Sequence, residues 1–394
     1  MSVRISKSAF NIREKLSELE KPIGVKGNEL MRAETAQEAG ALLGVGRKNV
    51  IINGDMRVAQ RGGADVTGVT GQTSFVTDRW KSLVNGLGTW TMGHSSDGPP
   101  GFSKSLKMSC TTANASPTTS QYAGLQYLIE GYDSARFEMG TSDAKYMTLS
   151  FWVKSTNTGT FLVEAQAGSP SIELAKPVTI NSANTWEYKT ITWQPNTVSA
   201  TYQVTNSAGL VFYFFWDVGT DTNSPPTQWA EQTVGSGRWA GSTLNLGRTT
   251  GTDIYLTGVQ LEVGKNATEF EHRSYGEELA LCSRYFQQIG NLYLHTWSHD
   301  IADTSGMRLE AWSYPGGPMR TTPTFSFSDG SGNTDRWYVQ DSDAAYGSTN
   351  VLYSLQNNEY GLLGSFKYPY AVSGFAKGQS GYAAAYNLTL SAEL

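Results

Sequence analysis

The stretch Met147–Ala167, "MTLSFWVKSTNTGTFLVEAQA", decides the reading of this chain. In its first half Leu149, Phe151 and Val153 share one face, while Trp152 and Lys154 take the other. That period of two belongs to a β-strand with one side in a core. A polar Thr-Asn-Thr-Gly break follows, and "GTFLVEAQA" resumes the same texture. Working outward, "SLKMSC", "WEYKTITW", "LVFYFFWD" and "DIYLTGVQLEVG" are further short apolar runs bounded by Gly, Asn, Ser, Thr and Pro. Strands at this spacing, with no helices between them, predict a sandwich or jelly roll.

Helical patterns flank that region. "NIREKLSELEKP" places Asn11 and Glu14 at capping-box spacing, and Pro22 stops the helix. Ile5, Ala9, Ile12, Leu16 and Leu19 form its apolar stripe, in a short coiled-coil rhythm. A second helix in "NELMRAETAQEAGALLG" ends at Gly44. The first 48 residues hold too few large apolar side chains for their own core, so they must dock on something else. A third helix is expected in "SYGEELALCSRYFQQIG", capped by Ser274, with Leu279, Cys282, Tyr285 and Phe286 on one side. From about Leu292 the texture is β to the end, closing with "AAAYNLTLSAEL".

Only 16% of the 394 residues are charged, against about 25% in an average domain. Together with 42 glycines and 12% aromatics, this is the composition of sheet-rich extracellular and virion proteins. The near balance of 30 basic and 35 acidic residues, with no basic stripe, argues against nucleic acid. The longest apolar cluster, "GLVFYFFW", is far below the roughly 18 residues of a membrane helix. The N-terminus does not read as a signal peptide. Cys110 and Cys282 read as two buried thiols, with a single bridge as the alternative.

Catalytic and metal signals are weak. His295, His299 and Asp300 stand in an extended context without the intervening glutamate of a zincin helix. Carboxylates such as Glu130, Asp133 and Glu138 are scattered, and neither a nucleophile elbow nor a phosphate-binding loop occurs. Aromatic residues carry more. Core packing should claim most of Trp80, Trp90, Trp152, Trp186, Trp193, Trp216, Trp229 and Trp239. Trp229, in "SPPTQWAEQ", reads as a loop residue and so as a ligand or partner contact. Tyr314, Trp337, Tyr338, Tyr346, Tyr360 and Tyr370 read as loop aromatics on a surface of the composition that adaptable binding faces use.

"RKNVIINGDMRVAQRG", "FVTDRW", "AGLQYLIEG", "TLSFWVKS", "GVQLEVGKNATEFEHRSYGEELALCSRYF" and the terminal "LSAEL" resemble, in order and spacing, tail-fibre and related virion proteins of marine and cyanobacterial phages. The first β region also resembles carbohydrate-binding jelly rolls, which carry an Asn-Gly-Asp signature like Asn53-Gly54-Asp55 in their opening strand. Where such modules often place a calcium-holding acid, this chain has Thr257 and Gly258, which argues against calcium. The resemblance implies that "NVIINGDMRVAQRG" is the entry strand, with Val50 and Ile52 on one side, Ile51 on the other and Asn53-Gly54 at the bend.

The expectation is therefore a mainly β protein in four parts. Residues 1–48 form a helical anchoring and oligomerisation segment, and 49–272 a jelly-roll sandwich. Residues 273–290 form a connecting helix, and 291–394 a distal β domain. By resemblance it is a virion fibre protein made without a signal peptide, a homotrimer that grips other virion proteins through 1–48. Its distal loops would attach it to a host-surface glycan or protein. It needs no cofactor, metal, nucleic acid or membrane insertion, and it is not an enzyme. A purely structural virion component and a polysaccharide depolymerase are the alternatives.

Overall fold

The computed structural model describes residues 47–220, 227–231, 241–297, 308–313, 319–321, 323–328, 337–341, 345–349, 357–358, 361–367 and 380–394. The expected anchor helix with Ile5, Ile12, Leu16 and Leu19 lies outside these residues, as do Tyr314, Tyr360, Tyr370, Trp239, His299 and Asp300.

Twelve strands build the first region: β1 (Val66–Val69), β2 (Trp80–Asn85), β3 (Thr89–Ser95), β4 (Ser105–Thr112), β5 (Tyr122–Glu130), β6 (Met147–Ser155), β7 (Gly159–Ala167), β8 (Ile172–Ile180), β9 (Glu187–Trp193), β10 (Ala208–Val218), β11 (Ala230–Glu231) and β12 (Asp253–Val263). A one-turn helix, α1 (Gly131–Ser134), follows β5. The strands form two six-stranded sheets, ordered β1-β3-β4-β12-β6-β9 and β11-β8-β7-β10-β5-β2. This is the expected jelly-roll sandwich, and "MTLSFWVKS" and "GTFLVEAQA" are its strands β6 and β7 to the residue.

Alternation fills the space between the sheets. Leu149, Phe151 and Val153 of β6 point inward and are fully buried, as are Phe161, Val163, Phe212, Phe214 and Trp216 from the facing sheet. Phe151 meets Phe214 edge-on at 5.6 Å across the interface, and Phe161 meets Trp216 at 5.0 Å. Tilted and edge contacts of this kind favour the ring quadrupoles beyond their area burial. Trp80, Trp90 and Trp193 are buried with their indole N–H groups donating to the carbonyls of Asn53, Leu87 and Leu174. Cys110 and Cys282 are both free and buried.

The segment expected as the entry strand is not a strand. Residues 49–59 are irregular, and Val50, Ile51, Ile52, Asn53, Asp55, Met56 and Val58 are all buried. Asn49 replaces a ladder: its Oδ1 accepts from Ile51 N and Leu261 N, and its Nδ2 donates to Val259 O. Val50 and Ile51 both enter the main core, while Ile52 turns to a second cluster with Val58, Cys282 and Tyr285. The expected division of these three residues is thus corrected. A strand would have left one face to solvent, whereas here both faces have apolar partners.

That second cluster is where α2 (Tyr275–Ser283) packs. Ser274 caps it as expected, its Oγ accepting from Glu277 N at 3.2 Å. The helix stops at Ser283, short of the expected end at 290, and Phe286 opens the next strand. The third sheet contains β13 (Phe286–Trp297), β14 (Arg308–Ser313), β15 (Thr324–Ser328), β16 (Trp337–Asp341), β17 (Ala345–Thr349), β18 (Asn357–Asn358), β19 (Gly361–Lys367) and β20 (Ser380–Ser391). Its order is β17-β16-β20-β13-β14-β19-β18, with β15 also on β20. Trp337, Tyr338 and Tyr346 lie in strands β16 and β17 rather than in loops, and His295 lies in β13 opposite Tyr382.

A polar joint ties this sheet to the sandwich. Arg79 is buried, stacks 3.4 Å from the Tyr285 ring centre, and donates to Glu393 Oε2 and Leu128 O, each at 2.6 Å. Arg284 forks onto Glu130 at 2.8 and 2.9 Å. Arg320 donates to the carbonyls of Asn206, Ala392 and Glu393. Arg273 reaches the carbonyls of Ile51 and Asn49 and pairs with Glu278. The bidentate Arg284–Glu130 pair sets orientation as well as energy. Five of the six motifs that carried the sequence resemblance converge on this joint, and the sixth, "TLSFWVKS", is strand β6 of the sandwich.

Candidate functional site

The outward positions of β6 that alternate with its core residues are Trp152 and Lys154. Strand pairing sets Trp152 beside Tyr188 of β9 and Thr257 of β12, and sets Lys154 beside Tyr255. Lys107 of β4 lies on the other side of Tyr255. The outer face of the first sheet is thereby built as an aromatic platform. Trp152 and Tyr188 have ring centres 5.3 Å apart, and Trp186 and Tyr255 6.2 Å apart. Tyr188 is 45% exposed, so its ring is open to a ligand.

Charged groups brace the rings. Lys154 Nζ stands 4.4 Å from the Tyr255 ring centre and 5.4 Å from that of Trp186. It is ion-paired with Asp97, which also accepts from Trp186 Nε1 at 3.1 Å. The Lys154 hydrogen bond is the main reason the Asp97 carboxyl lies below its ordinary range. Lys107 pairs with Asp253 at 2.9 Å. Burial works against the Lys107 charge, but the Asp253 and Tyr255 partners outweigh it and raise its pKa.

The platform continues past Thr257. Gly258 has φ +61°, and a Cβ on it would lie 2.8 Å from Phe102 Cζ and 3.0 Å from Trp152 Cδ1. Phe102 therefore rests over a bare glycine beside Trp152. Beyond it, Phe102 meets Phe270 at 5.0 Å and His272 at 5.4 Å. The result is a row of rings interleaved with hydrogen-bonding groups. Such a surface can hold a flat, hydroxyl-rich molecule by stacking and edge contacts.

The second sheet has a different outer face. Glu164 and Glu173 are buried on the side of β7 and β8 that points away from the core. Gln166 Nε2 approaches Glu173 at 3.4 Å, Tyr213 donates to Gln166, and both acids have further partners. Among the described residues, no three His, Cys, Asp or Glu side chains group as metal ligands.

Of the residues singled out from sequence, Trp229 is corrected: it is 6% exposed, packs in the main core, and donates to Gln194 O at 2.8 Å. Its flanking Pro and Ser residues signalled a loop, but the indole turns inward from it. Trp337, Tyr338 and Tyr346 have their backbones placed in the third sheet, and the structure does not bring them to the platform. Trp152, Trp186, Tyr188, Tyr255 and Phe102 were not singled out as a site. The signal for three of them was present, since Trp152, Tyr188 and Tyr255 are aromatics at outward positions of alternating strands.

No family model matches this chain, and no curated protein matches it. Solved structures give likenesses to part of it. One is the enzymatically active domain of bacteriophage CBA120 tailspike protein 4, 16% identical, covering 55% of this chain and 21% of that chain, with a TM-score of 0.28. Another is the family 11 carbohydrate-binding module of a Clostridium thermocellum cellulosomal cellulase, 13% identical over 51% of this chain and 99% of that one, TM-score 0.28. A third is a xylan-binding domain from Paenibacillus barcinonensis, 13% identical over 47% and 92%, TM-score 0.27.

Proposed function

We propose that this chain is a non-catalytic, saccharide-binding attachment protein of a phage virion. The observation that carries the binding reading is the platform: Trp152, Tyr188, Trp186 and Tyr255 stand together on an outer sheet face, braced by Lys154, Lys107, Asp97 and Asp253. Rings set side by side on an outer sheet face, with Tyr188 45% exposed, offer the stacking surface that a sugar ring uses. The virion setting, the trimer and the anchoring role of residues 1–48 rest on the sequence resemblance. In a fibre, weak sites on several copies act together, so modest affinity per site suffices for adhesion.

The test is a glycan array followed by calorimetry with purified protein. Wild type binds host-surface polysaccharide, and the Trp152→Ala/Tyr188→Ala pair loses about tenfold or more in affinity, or about 1.4 kcal/mol. Equal binding by the double variant refutes the platform as the site. Release of reducing ends from the polysaccharide by the purified protein would instead establish the depolymerase alternative. Light scattering with and without residues 1–48 tests the trimer, and a monomer in both refutes it.

A further inference from the structure

At the end of the platform, beyond Phe102, lies a cavity of about 380 Å³ lined by Asp55, Arg57, Gly101, Phe102, Ser103 and His272. Phe102 belongs to both, so cavity and platform are continuous. Asp55 is only 3% exposed, yet its Oδ1 has no hydrogen-bond partner. A buried carboxylate oxygen left unpaired is costly and calls for an explanation. Its other oxygen accepts from Arg57 Nε. Arg57 donates through Nη2 to Arg273 O at 2.6 Å, and among the described residues its Nη1 makes no hydrogen bond. One acceptor and one donor therefore stand unused in the same wall. Ser103 is exposed at the rim, and the Phe102, Phe270 and His272 rings pack together behind it, with Phe270 and His272 4.9 Å apart.

We infer that this cavity is a second subsite that takes one uncharged pyranose unit of a saccharide whose neighbouring units lie on the platform. Asp55 Oδ1 accepts from a sugar hydroxyl, Arg57 Nη1 donates to another, and Phe102 offers its ring. The ion pair between Asp55 and Arg57 cancels their charges, so the wall offers directional hydrogen bonds without a net field. A uronate or phosphate oxygen set against Asp55 Oδ1 would bring two acceptors together with no proton between them, whereas a sugar hydroxyl can donate. The cavity gives the site an end: the platform holds a chain by its faces, and the cavity reads one unit of it.

This inference rests on the saccharide-binding reading, and its test separates the two. Affinities are measured by calorimetry for neutral gluco-, manno- and galacto-oligosaccharides from disaccharide to hexasaccharide, and for oligogalacturonates of the same lengths. The proteins compared are wild type, Trp152→Ala, Ser103→Tyr and Asp55→Asn. Ser103→Tyr blocks the cavity from an exposed position and leaves the fold intact, while Asp55→Asn changes its acceptor. The expected result is that Trp152→Ala weakens every neutral ligand bound. Ser103→Tyr and Asp55→Asn weaken the longer chains about tenfold while leaving disaccharide affinity unchanged. If Trp152→Ala weakens binding but Ser103→Tyr leaves all lengths unaffected, the subsite is overturned and the platform stands. Preferential binding of oligogalacturonates overturns the uncharged class. Absence of binding by wild type across the whole panel overturns both readings.

Discussion

Replacing Gly54 by alanine tests how the buried entry segment is held. A Cβ at Gly54 would lie 2.1 Å from Val259 O and 3.1 Å from Val259 C, whereas ordinary contact begins at 3.4 Å. Segment and strand β12 must part by about 1.3 Å at this point. They are joined there by Val259 N→Gly54 O and Val50 N→Leu261 O, both 2.9 Å, so the movement stretches backbone hydrogen bonds as well as packing. Overpacking typically costs about 1–3 kcal/mol. One weakened hydrogen bond adds about 1 kcal/mol. At about 2–4 °C per kcal/mol for a domain of this size, the midpoint falls by roughly 5–15 °C. Gly276, exposed in α2 with nothing within 4 Å of its added Cβ, is the control. Its alanine variant gains about 0.5–1 kcal/mol from the reduced freedom of the unfolded chain. Calorimetric unfolding of the three proteins decides the matter. A Gly54→Ala midpoint equal to wild type refutes the close approach of segment and strand.

Phe151→Ala removes a ring that meets Phe161 and Phe214 in the core, and should cost about 3–5 kcal/mol in denaturant unfolding; a loss under 1 kcal/mol would contradict the two-sheet packing. Tyr188→Ala, at an exposed position, should change stability by no more than about 0.5 kcal/mol while lowering saccharide affinity. Burial pushes the Glu130 carboxyl up, but the Arg284 fork outweighs it and holds the group below its ordinary 4.5. Its folded value being depressed, its contribution is complete above that pH and lost as pH falls through the depressed value. Glu130→Gln should therefore flatten the acid limb of a plot of unfolding temperature against pH. Burial raises the thiol pKa of both Cys110 and Cys282, so an alkylating reagent should label them only after denaturant is added.

Strands β6, β7, β4, β9, β10 and β12 were legible because each alternates or runs apolar between turn residues, and such local patterns reflect which faces meet water. The cap at Ser274 and the burial of both thiols were legible for the same local reasons. Strand β8 was not, because Pro177 interrupts its pattern. Among the described residues its outer neighbour β11 pairs only with Glu173 and Ile172, so β8 is an edge at Pro177, where a proline is tolerated. The entry segment misled for the opposite reason. Val50, Ile51 and Ile52 look like a strand, but their backbone is satisfied group by group: Val50 N donates to Leu261 O, Ile51 N to Asn49 Oδ1, Arg273 donates to Ile51 O, and the Tyr127 hydroxyl serves both Ile52 N and Ile52 O.

Sequence by itself determined the sandwich class and the inward and outward faces of individual strands, since a period of two depends only on neighbours along the chain. Tertiary structure alone decided that β12 lies between β4 and β6, and therefore that Tyr255, Trp152, Tyr188 and Trp186 share one platform. It alone decided that Trp229 turns into the core, that Phe102 closes over Gly258, and that Asp55 keeps an unpaired oxygen beside a cavity. These depend on strand order and on contacts between residues far apart in the chain, which no local pattern encodes.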